Sequence, residues 1–164
     1  MEIRIKSILI RNWKVIDELK IDFAGRNANI YGYNETGKTT IYDAFLWCLF
    51  GKDSAGQSPN TFEIRPIRTN EQGVREIVHN LESTVSVVLA ADDKTVEFTK
   101  MYREIWTKRR GTDTAEYTGT QTDCWINEEP VKAAVYQSRL AALIDEGIFR
   151  TITNADYFFG LKKE

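Results

Sequence analysis

The sequence predicts a mixed α/β fold in a single domain spanning residues 1–164. Three observations support this prediction: a glycine-containing loop with Lys38, an apolar helix directly after it, and strand-like alternation on both sides. With 42% hydrophobic and 12% aromatic residues, the chain can bury a sizeable core. We therefore expect a central buried helix packed against an antiparallel β-meander.

Residues 32–40 read GYNETGKTT and match the phosphate-binding pattern G-x-x-x-x-G-K-[ST] at every position. The pattern predicts that backbone amides surround the phosphates of a nucleoside triphosphate, while Lys38 reaches the β- and γ-phosphates. Lys38 is therefore the candidate catalytic residue, stabilising charge on the transferred γ-phosphoryl group, and the Thr39 hydroxyl is the candidate Mg²⁺ ligand. The candidate nucleotide contacts in this loop are Gly32, Asn34, Glu35, Thr36, Gly37, Lys38, Thr39 and Thr40.

The loop has the flanking elements that phosphate binding requires. Residues 28–31 read as a short strand that leads into Gly32. Residues 40–50 read TIYDAFLWCLF, which has almost no polar face, and Gly51 is suited to end a helix. The phosphates would therefore lie at the positive end of a buried helix.

The remaining elements follow from periodicity and turn residues. The helical spacing at residues 131–144 follows Pro130, which is tolerated at a helix start, and the last twenty residues look like short helical turns. Residues 52–73 are rich in Ser, Gly, Asn, Pro and charge and predict an irregular connection. Strand patterns lie at residues 2–10, 15–23, 84–90, 95–106 and 120–126.

Composition restricts the functional classes. A formal net charge of -2 means that any nucleic-acid contact must be local. Cys48 and Cys124 lack metal-site spacing and predict reduced thiols in or near the core, as expected in the cytoplasm. No apolar run approaches the roughly 20 residues that a membrane span needs. We expect a cytoplasmic protein with no membrane partner.

The dense basic cluster of Lys108, Arg109 and Arg110 lies beside Trp106. It could contact a DNA backbone, although a solvated hairpin tip is the commoner role of such a cluster. His79 is more readily explained as a structural residue than as a catalytic one.

Several segments together resemble one protein family. IRNWK at residues 10–14, the phosphate loop with Asn34 and Glu35, and DAFLWCLFGK at residues 43–52 are similar to the N-terminal lobe of SMC-like ABC-type ATPases. The closest similarity is to the SbcC branch, which includes phage relatives. Looser similarity extends through EIWTKRRG, WINEEPV and ITNADYF, which begin at residues 104, 125 and 152.

The resemblance implies a more specific function than the loop does. It implies ATP as the nucleotide, with Mg²⁺, and a role in DNA repair or recombination in which ATP clamps two heads and gates a nuclease. In that family a coiled coil separates two lobes, so the implied partners are a C-terminal lobe, a second head, a nuclease subunit and DNA. The hydrolytic residues belong to the other lobe, and this chain alone should therefore bind ATP poorly and hydrolyse it little.

The resemblance also adds residues outside the loop. It matches Arg11 to a family arginine near the nucleotide, with Asn12 in the same segment, while an exposed strand-end charge is an equal alternative for Arg11. Asn34 could order the loop or simply favour a turn, and Glu35 is interpreted as a loop variant rather than a catalytic group. The family also has a glutamine that binds Mg²⁺, which we expect just beyond Glu164. Of the glutamines at 57, 72, 121 and 137, Gln137 lies in a predicted helix and is better explained as part of a solvated helical face.

Two other functions remain open from the residues. A self-contained phosphotransferase of the small-molecule kinase class would carry the same loop, but the antiparallel meander and the missing lid pattern argue against it. A nucleotide-gated architectural DNA clamp with incidental hydrolysis is the third alternative. The acidic stretch at Asp145 and Glu146 is interpreted as an ordinary helix end rather than a hydrolysis motif.

Overall fold

Strand pairing in the computed structural model is antiparallel throughout the described residues, which are 2–33, 37–59, 61–111 and 113–153. Within these residues six strands form one sheet in the order β2-β1-β5-β6-β7-β8, and β3 and β4 form a separate hairpin. The strands are β1 (Ile3–Trp13), β2 (Ile16–Asp22), β3 (Ile67–Thr69), β4 (Arg75–Ile77), β5 (Ser83–Ala91), β6 (Lys94–Lys108), β7 (Ala115–Ile126) and β8 (Glu129–Val131). The helices are α1 (Lys38–Phe50), α2 (Ala133–Ala141) and α3 (Glu146–Thr153).

The central helix α1 forms the middle of the core. Every residue from Asp43 to Phe50 is buried, as expected for a helix without a polar face. It packs against β1, β5 and β6, where alternate residues such as Ile10, Val85 and Phe98 are fully buried. The predicted mixed α/β fold, with a central buried helix on an antiparallel meander, is confirmed.

The two shorter helices both contact α1, α2 through Tyr136 and α3 through Phe149. Tyr136 of α2 is fully buried, and its ring lies 5.3 Å from that of Phe98. On α3, Phe149 has its ring 5.4 Å from Phe50, and the Thr153 and Tyr42 side-chain oxygens are 3.3 Å apart. Because Glu146 at the other end of α3 pairs with Lys52, α3 runs antiparallel to α1.

The predicted strand at residues 28–31 is not formed. These residues are irregular, and Ile30 and Tyr31 are 43% and 86% exposed. A strand needs a hydrogen-bonding neighbour, and none of the described strands pairs with this segment. The apolar composition of the segment was therefore insufficient to produce a strand here.

The predicted helix at residues 131–144 begins later and ends earlier, at Ala133–Ala141. Val131 belongs instead to β8, which pairs with the end of β7 across a turn at Asn127 and Glu128, both with positive φ. Pro130 therefore lies on an edge strand opposite Trp125, where its missing N–H is tolerated.

Of the predicted C-terminal helical turns, α3 is formed, and residues 154–164 lie outside the described residues.

A buried carboxylate joins β6 to the segment between α1 and β5. Residues 52–73 of that segment were predicted to be irregular, but Ile67–Thr69 form β3 because they pair with β4. The Glu104 side chain is 1% exposed and accepts hydrogen bonds from Arg65 at 3.0 Å, the Asn80 amide at 3.0 Å and the Trp106 indole at 2.9 Å. Its Oε1 also lies 2.8 Å from His79 Nδ1. Burial by itself raises the pKa of Glu104, but these hydrogen bonds outweigh it and lower the pKa to about 2. His79 thus has a structural partner, as the sequence suggested.

We expect Glu104→Gln to lower the free energy of unfolding by about 1–3 kcal/mol at neutral pH, because it removes the buried charge on which several hydrogen-bond donors converge. The pKa of Glu104 in the folded protein lies below its pKa in the unfolded chain. The stabilisation by the Glu104 charge is therefore complete above the unfolded-chain pKa and is lost as the pH falls towards about 2. Urea unfolding at neutral pH and at about pH 3.5 measures the difference between variant and wild type, which should shrink at the lower pH.

The matched control is Glu116→Gln, because Glu116 is 57% exposed and should change stability by less than about 0.5 kcal/mol. An equal effect of Glu104→Gln at both pH values would contradict the assigned pKa.

Candidate nucleotide-binding site

The amino end of α1 is open to an anion. Gly37, which precedes the helix, has φ 93° and no side chain to accept hydrogen bonds from the first-turn amides. The first turn contains no acidic residue. These amides and the positive end of the helix dipole therefore remain available to a phosphate group.

Lys38 lies at the start of α1 and reaches back over the loop. Its Nζ donates hydrogen bonds of 2.6 Å to the carbonyl oxygens of both Gly32 and Tyr33. The ammonium group is thus held between the beginning of the loop and the helix, where the sequence places the β- and γ-phosphates. A bound triphosphate would offer it stronger, charged acceptors.

Thr39 and Thr40 follow Lys38 in the first turn, with Thr39 exposed and Thr40 half-buried. An exposed threonine hydroxyl at this position fits the hard oxygen donors that Mg²⁺ prefers, although a carboxylate or phosphate oxygen would have to complete the site. Among the described residues, no group of three or more His, Cys, Asp or Glu side chains could hold a metal ion. The remaining candidates Asn34, Glu35 and Thr36 lie outside the described residues.

Arg11 and Asn12 lie at the end of β1. The Arg11 guanidinium is 2.7 Å from Glu18 on the neighbouring strand, and its side chain is 53% exposed. Asn12 has φ 50° and donates to the Glu82 carbonyl at 3.1 Å. Both side chains have protein partners, and a role for either in nucleotide binding stays a prediction.

Lys14, two residues further on, connects this segment to α1. Its Nζ lies 3.2 Å from Asp43 Oδ2, and the Asp43 side chain is 10% exposed. Asp43 also accepts a hydrogen bond from the Ser54 amide at 3.0 Å. The turn between β1 and β2 is therefore held against the middle of α1, a connection that the sequence did not reveal.

The basic cluster lies at the tip of the β6–β7 hairpin, where all three side chains are exposed. Lys108 lies 3.8 Å from Asp113, and Arg109 lies 3.3 Å from Glu116. No carboxylate among the described residues pairs with Arg110. Two of the three basic side chains therefore have an acidic neighbour, and the contact of the cluster with DNA stays a prediction.

The alternative acidic and glutamine candidates have ordinary structural positions. Asp145 accepts a hydrogen bond from the Ile148 amide at 2.8 Å and caps the start of α3. Glu146 binds Arg150 and Lys52, each at 2.9 Å. Gln137 is exposed on α2.

Helices in the described part of the chain are too short or too polar to cross a membrane.

A family model described as "AAA domain" matches residues 7–154, which is most of the chain and includes the phosphate loop. The chain belongs to this family. No curated protein matches the sequence. Because the family match includes Lys38 and α1, this AAA domain is a P-loop ATPase domain in its overall class.

Two solved structures are similar to this AAA domain. One comes from work on ATP-driven dimerization and DNA-stimulated activation of SMC ATPases, with a TM-score of 0.67, 16% identity, and coverage of 97% of this chain and 92% of that chain. The other is the recombination mediator RecF with ATP, with a TM-score of 0.54, 16% identity and coverage of 80% of this chain. The match spans 29% of the RecF chain. The AAA domain thus has the fold of an SMC-type ATPase N-terminal lobe.

Gly37→Ala tests the loop geometry. An alanine is strained at φ 93°, which should destabilise the domain by about 1–2 kcal/mol and displace the amides next to Lys38. We expect MgATP affinity, measured by titration calorimetry, to fall about tenfold or more.

Gly73→Ala is the matched control, because Gly73 has φ 79° with no atom within 4 Å of an added Cβ. It should show similar strain without loss of affinity. Wild-type affinity in Gly37→Ala would refute the assignment of Gly37 to the site.

Proposed function

We propose that the chain is the ATP-binding lobe of an SMC-like ATPase of the SbcC type that acts in DNA repair or recombination. The observation that carries the proposal is the placement of Lys38 Nζ over the loop, at the open amino end of a buried helix. The family match and the fold of the SMC head support it. In this function ATP and Mg²⁺ bind at the loop, and ATP-dependent pairing of two heads gates a nuclease.

The chemistry available to this lobe is binding and charge stabilisation. Lys38 and the first-turn amides would stabilise negative charge on the transferred γ-phosphoryl group. Thr39 would hold Mg²⁺, which supplies further charge neutralisation when bound. Hydrolysis is proposed to need residues of a C-terminal lobe, because the family resemblance places the groups that activate the attacking water in that lobe.

The segment before the loop supports the need for a complementary lobe. Ile30 and Tyr31 are exposed although their sequence resembles a buried strand, and no described strand pairs with them. Exposed apolar residues with unpaired backbone groups are suited to receive a strand from another polypeptide. We propose that the C-terminal lobe of the same ATPase covers this segment.

Steady-state ATP hydrolysis tests the proposal. The chain alone should show little turnover, and addition of the C-terminal lobe should produce turnover because it supplies the missing hydrolytic groups. Lys38→Ala should lower the turnover rate about 100-fold or more, because the transition state loses a preorganised positive charge.

Arg4→Ala is a suitable control, because Arg4 is exposed and pairs only locally with Glu2. Robust turnover by the isolated chain would contradict the split-head function. Turnover that survives Lys38→Ala would remove Lys38 from the site.

DNA binding by the hairpin tip is a second, separate proposal. Lys108, Arg109 and Arg110 are exposed at the end of the hairpin formed by β6 and β7. This hairpin extends beyond the rest of the sheet, because the pairing of β5 with β6 stops at Tyr102. Since Arg110 has no described acidic partner, it is the residue most available to a phosphate.

Arg110→Ala should weaken the binding of duplex DNA uniformly across sequences. It should also make the affinity less dependent on salt, by about the amount that one phosphate contact contributes. Fluorescence anisotropy at several salt concentrations measures both effects. An unchanged salt dependence would show that the hairpin tip is only a solvated surface.

A further inference from the structure

The carboxyl end of α1 is capped inside the core by side chains from two other elements. Lys100 Nζ of β6 donates to the Trp47 carbonyl at 3.1 Å, and the Tyr136 hydroxyl of α2 donates to the Cys48 carbonyl at 2.8 Å. The Gly51 amide also donates to the Trp47 carbonyl, at 2.8 Å. The Trp47 carbonyl, which also accepts the Gly51 amide, is thus bound to the sheet, and the Cys48 carbonyl in the last turn of α1 is bound to α2.

Lys100 is an unusual residue for this position. It is 5% exposed and lies on the inward face of β6 with Phe98 and Tyr102. Its ammonium is 5.0 Å from the Tyr136 ring centroid and 5.8 Å from that of Trp47. Burial lowers the pKa of Lys100, because the charged form loses its hydration. An apolar side chain of similar length would be easier to bury, so stability alone does not account for a lysine.

The two ends of α1 differ in a way that gives this lysine a role. The amino end follows Gly37, which has no side chain to cap the first-turn amides, whereas the carboxyl end is fixed by Lys100 and Tyr136. A helix of 13 residues is a rigid rod of about 20 Å. Fixing the depth and rotation of one end therefore fixes where the amides at the other end lie.

We propose that Lys100 is a positioning residue of the phosphate site, holding α1 at the depth and rotation that triphosphate binding requires. Its charge also favours the carboxyl end of the helix dipole. Tyr136 acts with it on the adjacent carbonyl. This inference rests on the proposed function, because it requires a triphosphate to bind beside Lys38.

The test replaces Lys100 with methionine, which has similar length and no donor. Nuclear magnetic resonance follows the amides of Gly37, Lys38 and Thr39, first without ligand and then during titration with inorganic triphosphate. We expect the ligand-free amide shifts to change and the affinity to fall about twofold to tenfold. Tyr136→Phe, which removes only a hydroxyl, should change both quantities in the same direction by less.

Leu140→Ala is the matched control. Leu140 is buried on α2, and its truncation lowers stability through a cavity without removing a cap from α1. It should leave the amides of residues 37–39 and the affinity unchanged. If Lys100→Met behaves like this control, with lower stability only, the inference is overturned.

The outcomes separate this inference from the proposed function. Wild-type binding that depends on Lys38, together with unchanged amides in Lys100→Met, overturns the inference and leaves the function intact. If the wild type shows no Lys38-dependent binding even after the C-terminal lobe is added, both are overturned. If Lys100→Met does not fold, the Tyr136→Phe result decides, and unchanged amides and affinity there overturn the inference.

Discussion

The burial of α1 on all sides is the constraint on which the rest of the structure depends. A helix whose residues from Asp43 to Phe50 are all buried needs cover from several directions. The sheet covers one side, α2 contributes Tyr136, and α3 contributes Phe149. The sheet contacts come from β1, which precedes α1 in the chain, and from β5 and β6, which follow it. The same burial leaves the amino end as the part of the helix that a ligand can reach.

Local sequence patterns predicted the elements that depend on local chemistry. Gly37 and Gly51 both have positive φ and delimit α1 close to its predicted ends. The strands of the meander were predicted from alternation, since one face of each contacts the core. The prediction failed where structure depends on a distant neighbour. Residues 28–31 have strand-like composition without a described partner, and β8 exists only because Val131 pairs with Cys124.

The candidate site shows the same division. The phosphate loop could be located from spacing alone, because its chemistry needs fixed residue types at fixed positions. The partners of Arg11 and Lys14 could not be located from spacing. Arg11 pairs with Glu18 only because of the register of the β1–β2 hairpin, and Lys14 contacts Asp43 only because α1 packs against the turn. Lys100 did carry a signal that went unused. It interrupts the inward phase of β6 between Phe98 and Tyr102, and a charged residue in an apolar phase marks a buried polar contact.

The antiparallel placement of α3 along α1 has a mechanical consequence. The chain leaves α3 at Thr153, beside Tyr42 and one helical turn from Lys38. A pull on the chain at that point acts first on the contact between Thr153 and Tyr42, and only afterwards on the ion pair between Glu146 and Lys52 at the far end. Tension would therefore peel α3 away from the phosphate end of α1 first. The contact that yields first therefore adjoins the candidate ligand site.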